Sequence, residues 1–234
     1  MATGDTRHES TTAVIERPSS RTTFLVLVGI SLAFFAASVG FVATDEEHHV
    51  LERLFTGYEA NLPTWFSAAL WLGASALALT AGAAGRRLGD PAGGRWTLLG
   101  AIFALLSLDE TGQLHEETVG PLMDTVGDVF GLSGDAARLL AVGIAGLGLL
   151  AVSAWCLPWY LGLSAWLRRR LLAAAGIFVT GSFVLEVVSR MSDSEPAAYL
   201  SPIEELMEMI GITILVVTLM PVVREIRAAS QPTP

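Results

Sequence analysis

Hydrophobic residues in this chain gather into long runs broken by short polar clusters. Two runs, 22–44 and 62–85, exceed the roughly 20 apolar residues that a helix needs to cross a hydrocarbon core about 30 Å thick. Two more lie at 138–161 and 171–190. The segment 96–117 is apolar only as far as Leu108, where Asp109 and Glu110 interrupt it, and 202–223 opens with Glu204, Glu205 and Glu208. Each of these two reaches membrane length only when its acids are taken into the membrane. The pattern predicts an all-α fold, a polytopic membrane helix bundle with six transmembrane helices over 22–226. Residues 1–21 are polar and rich in Ser and Thr, which predicts a disordered tail, and 227–234 form a second short tail. The first run is longer than the 7–15 residues of a signal-peptide core, so it is read as a helix that is kept.

Small residues suggest how such helices would pack. Ala74, Ala78 and Gly82 recur every fourth residue on the second span, a surface that lets backbones approach closely in lipid.

Composition agrees with a lipid setting. Of 234 residues, 52% are hydrophobic and 16% charged, against the quarter charged that is usual in soluble domains. The net charge of −9 argues against nucleic acid as a partner. Cys156 is the only cysteine, which excludes an intrachain disulfide and CxxC-type metal or redox motifs. All 14 basic side chains are arginine, which removes lysine Schiff-base and general-base chemistry.

The arginines set an orientation. With both termini cytoplasmic, eleven of the 14 fall in inner segments, and only Arg53, Arg138 and Arg190 lie outside. This is the positive-inside pattern of a multi-pass protein in a plasma membrane, the inner membrane of a bacterium. Trp96, Trp155, Trp159 and Trp166 would then fall near the inner interface and Trp65 near the outer, as an aromatic belt.

Acids segregate the other way, with 18 of 23 in outer loops or outer helix halves. Counting at 1.5 Å per residue, Asp109 lies about 21 Å above Arg95, Glu186 about 24 Å above Arg170 and Glu208 about 24 Å above Arg224. Three carboxylates on three helices thus reach one level. Facing lipid they would be costly, so an inward cluster is expected. Helical phase puts Asp109, Gln113 and Glu116 on one stripe, with Glu110 beside it and His115 pointing away. Ordinary readings compete for several members. Ser201-Pro202-Ile203-Glu204 has the form of a capping box, Glu186 and Arg190 are spaced for an ion pair, and His115 suits simple packing. Asp45-Glu46-Glu47-His48-His49 has the form of a solvated loop that could also fold back onto the cluster.

Close carboxylates in a low-dielectric pocket need protons, arginine or a cation. With few arginines on that side, a divalent metal is the economical answer. The expected ligands are Asp109, Glu186, Glu208, Glu116, His115, His48 and His49. Mixed carboxylate and imidazole ligation suits iron, manganese or zinc better than calcium or magnesium. If the centre is catalytic, Glu205 or Glu110 would be the general base toward a metal-bound water. The substrate would be a lipid or small amphiphile. No Glu-x-x-His di-iron spacing, His-Glu-x-x-His zinc motif or Gly-x-Ser-x-Gly elbow is present. Two other functions fit the same residues: a proton- or cation-coupled transporter, and a non-catalytic structural or partner-binding membrane protein. Transport is weakened by the nearly apolar inner stretches 97–106 and 210–220. Substrate, metal identity and oligomeric state are not encoded in any motif of the chain.

Overall fold

The computed structural model describes residues 19–44, 49–58, 60–114, 121, 125, 127–132, 135–185 and 199–229, and they are helical and free of strands. The helices are α1 (Ser20–Ala43), the single turn α2 (His49–Glu52), α3 (Leu62–Arg87), α4 (Ala92–Gly112), α5 (Asp135–Gly162), α6 (Ala165–Val179) and α7 (Leu200–Ala229). A six-residue π-helical segment, Thr180–Leu185, prolongs α6. By length and composition α1, α3 and α7 can each cross a membrane.

Local chemistry fixes most helix ends. Ser19 caps α1 by accepting from the Thr22 amide at 3.1 Å, and Asn61 caps α3 by accepting from the Thr64 amide at 3.1 Å. Ser164 caps α6 through the Leu167 amide at 3.4 Å. Such caps satisfy amides that a helix start leaves open. At the other end of α4, Gln113 adopts a left-handed conformation with φ 49°. The α-helix that holds Asp109 therefore stops at Gly112, and Gln113 leaves its helical phase; Glu116 lies outside the described residues. At the start of α7, Ser201 is already inside the helix, one residue beyond its first, rather than at a cap position.

The core is built from α3, α4 and α7. Phe66, Trp71, Ala74, Ala78 and Ala81 of α3 are buried with Trp96 of α4 and with Met209, Ile212, Leu219 and Val223 of α7. Small residues bring the backbones together, as the second span's spacing predicts. Ala74 and Ala78 are fully buried, and a Cβ placed on Gly82 would meet the Thr97 amide nitrogen at 2.9 Å. The Ser75 hydroxyl donates across the same seam to the Gly100 carbonyl at 2.7 Å, and Ser107 donates to the Ala68 carbonyl at 2.8 Å. The α6–α7 seam is equally close, since a Cβ on Gly211 would lie 2.9 Å from both the Ala174 carbonyl oxygen and the Phe178 amide nitrogen. On the far side, α1 packs along α7. The loop after α2 returns to α1, where the Thr56 amide donates to the buried Ser38 hydroxyl at 2.9 Å.

The exterior of the bundle is apolar. Leu25 and Val26 of α1, Leu72 of α3, Leu105 and Leu108 of α4, and Leu147 and Leu150 of α5 are all exposed. Contiguous apolar surface of this kind is uncharacteristic of a soluble monomer.

Adding only a methyl group at Gly211 tests the α6–α7 seam. Gly211→Ala should destabilise by about 1–3 kcal/mol, read as a lower unfolding temperature in detergent. Gly176→Ala faces open space within 4 Å and should be neutral or stabilising by up to about 1 kcal/mol. At the end of α4, Gln113→Val puts a β-branched side chain at positive φ. It should cost about 1–3 kcal/mol in the same measurement.

Candidate functional site

Ring contacts define a common level through the bundle. Trp71 of α3 lies 5.5 Å from Phe103 of α4 and 5.1 Å from Phe178 of α6, and Phe178 also lines the Gly211 contact on α7. From that level the chain runs to two different ends. On one side, at 1.5 Å per residue, Asp109 is about 9 Å beyond Phe103, and Glu208 is about 5 Å before Gly211 along α7. Arg95 and Arg168 lie on the other side, about 12 Å and 15 Å from Phe103 and Phe178. The two turns between α3 and α4 and between α5 and α6 therefore share one arginine-rich end. The Trp96 and Trp159 rings tie those turns together at 4.9 Å, and the Arg95 guanidinium lies 5.1 Å over the Trp155 ring.

The expected ligands divide as follows. Asp109 and Glu110 are half-buried in the last turn of α4, and Glu204, Glu205 and Glu208 are half-buried in the first turns of α7. One pair of elements is close at this level: a Cβ on Gly181 of the π-helical segment would meet the Glu204 carbonyl oxygen at 2.8 Å and the Glu208 Cγ at 3.3 Å. His49 is almost fully exposed, with Nδ1 3.5 Å from the Glu52 carboxylate. Glu186, Glu116, His115 and His48 lie outside the described residues. Among the described residues, no three His, Cys, Asp or Glu side chains form a set able to hold a metal ion.

The arginine half of the bundle holds a feature that the sequence pattern did not reveal. A cavity of about 590 Å³ lies between α3, α4, α5, α6 and α7. Its wall includes Trp71, Trp96, Phe103, Trp159, Phe178 and Leu215, and among the described residues its hydroxyl or thiol side chains are Ser153, Cys156 and Tyr160. The Tyr160 hydroxyl is already engaged, donating to the Arg168 carbonyl at 3.1 Å. Leu157 of α5 and Leu172 and Val179 of α6 line the cavity and are at least half exposed, so the cavity opens to the apolar exterior between α5 and α6. Its size is that of a small-molecule or cofactor site.

Two of the tryptophans expected in an interfacial belt belong to this wall instead. Trp96 is only 4% exposed and packs edge-on against Trp159, whereas Trp65, Trp155 and Trp166 are exposed as a belt requires. The sequence signal for the cavity was the pairing of bulky rings on α4 and α5 with small residues Ala174, Ala175 and Gly211 opposite them. A helix that meets its neighbour through small side chains cannot fill the space that flanking rings hold open.

No curated protein and no solved structure matches the chain. Residues 22–223 match the family model for a domain of unknown function, DUF8692. The match runs from α1 to the last turns of α7 and covers every wall of the cavity. The chain belongs to that family.

Proposed function

We propose that the protein is a multi-pass integral membrane protein of six spans, with cytoplasmic termini, that takes the hydrocarbon tail of a lipid or small amphiphile into its apolar cavity. The observation that carries this reading is a 590 Å³ chamber, walled by aromatic and aliphatic side chains, with its mouth on the apolar exterior rather than at a helix end. A ligand entering there arrives from lipid, and an apolar wall favours an alkyl chain, at about 0.8 kcal/mol per buried methylene. The six-span arrangement draws support from the exposed leucines and valines around the bundle and from the arginines at one end. A plasma membrane location follows from the same arginine asymmetry.

Filling the chamber is the direct test. Full-length protein purified in mild detergent should carry about one tightly held lipid per chain, measured by mass spectrometry after extraction. Ala175→Trp, at a wall position, should remove it while leaving the fold intact by circular dichroism. Equal lipid content in the two proteins would retire the reading. Cys156, the sole cysteine, gives a second readout, because a bound tail should slow its alkylation by a membrane-permeant maleimide.

A divalent cation at the acidic level is the second reading. One contact favours it: the approach of Gly181 to Glu204 and Glu208 brings the chain leading to Glu186 against α7. Iron, manganese or zinc would suit the mixed ligands, with Glu205 or Glu110 as base if hydrolysis follows. Stoichiometric metal in protein prepared without chelator, lost in Glu208→Gln, is the expected result. Metal-free wild-type protein would remove this reading and leave the lipid chamber untouched.

A further inference from the structure

Arg168 and Arg169 lie next to the apolar chamber but do not line it. A second cavity, of about 230 Å³, is lined by Tyr160, Leu161, Ala165, Arg168, Arg169 and Leu172. Tyr160 and Leu172 also line the apolar chamber, so the two spaces meet at a shared wall. Arg168 is held in place on that wall. One of its Nη groups donates to the Leu161 carbonyl at 2.9 Å, and its own carbonyl accepts from the Tyr160 hydroxyl at 3.1 Å. A guanidinium carries five N–H donors, so the Leu161 bond leaves most of them available. Among the described residues no carboxylate pairs with Arg168 or Arg169. Around Tyr160 and Leu172 an apolar chamber therefore adjoins a pocket that carries two cations.

That sequence of surfaces complements one class of molecule, an amphiphile with a negative headgroup. On the six-span reading the arginine pocket lies at the cytoplasmic face, where basic pockets between helices meet anionic headgroups. Guanidinium groups suit phosphate because their planar fork offers paired donors. We propose that the chamber and the arginine pocket form one site for an anionic phospholipid, with an acyl chain in the chamber and the phosphate against Arg168 and Arg169. This rests on the chamber reading and adds the headgroup to it.

The test compares phosphatidylglycerol with phosphatidylcholine of identical acyl chains, titrated into delipidated full-length protein in a neutral detergent and read by native mass spectrometry. Wild-type protein should hold the anionic lipid roughly 10–30-fold more tightly, the contribution of two arginines near a membrane surface. The double variant Arg168→Gln, Arg169→Gln should bind both lipids as weakly as wild type binds phosphatidylcholine. Arg169→Gln alone changes only an exposed side chain and should lose part of the preference if the double variant does not fold. Equal affinity for the two lipids, or a preference that survives both substitutions, overturns the headgroup assignment while the chamber stands. Failure to retain either lipid defeats the chamber reading itself. Inorganic phosphate in large excess should leave the lipid bound, and displacement by phosphate would make the pocket a free-anion site and overturn the proposal.

Discussion

Backbone-to-backbone contact at glycine is the constraint from which the rest of this bundle follows. Where Gly211 meets Ala174 and Phe178, where Gly82 meets Thr97 and where Gly100 meets Leu79, a main-chain atom of the neighbouring helix lies 2.9 Å from where a Cβ would stand. In an apolar solvent there is little hydrophobic gain in bringing helices together, so dispersion between closely fitted surfaces must do much of that work. Close seams also lend weight to cross-helix hydrogen bonds such as Ser75 to the Gly100 carbonyl, which are made where water cannot compete.

The chamber is the complement of those seams. Rings on α3, α4, α5 and α6 line the space beside the glycine contacts. Trp71 touches both Phe103 and Phe178, so one indole couples three of the walls. Charge is confined to the ends of this arrangement. Among the described residues, Arg95 and Arg168 lie toward one end of the chamber and Asp109 and Glu208 toward the other.

The helical segments and the small-residue seam were legible in the sequence because both depend on local spacing. Ala74, Ala78 and Gly82 repeat every fourth residue and are buried together, as a 3.6-residue period requires. The axial offsets of Asp109 from Arg95 and of Glu208 from Arg224 were legible in the same way, since axial rise is a matter of counting. Azimuth was not. Whether Asp109 and Glu208 face each other depends on how each helix is rotated, and Gln113 ends α4 by turning left-handed where phase arithmetic carried it onward. The chamber was hidden because it belongs to no single segment: Trp96 reads as an interfacial residue until Trp159, more than sixty positions later, folds against it.

The π-helical segment Thr180–Leu185 carries a consequence of its own. Thr180 and Ser182 donate to the carbonyls of Gly176 and Phe178, four residues back, at 2.7 Å and 3.0 Å. Hydroxyls bonded in this way loosen the helical ladder they attach to. A π turn holds more residues than an α turn, so six residues in that form lag an α-helix by roughly a quarter of a revolution. The segment thus works as a twist offset built into the main chain. It shifts the bearing of Leu185 relative to that of groups before Thr180, and a regular α-helical wheel drawn through the segment misplaces it.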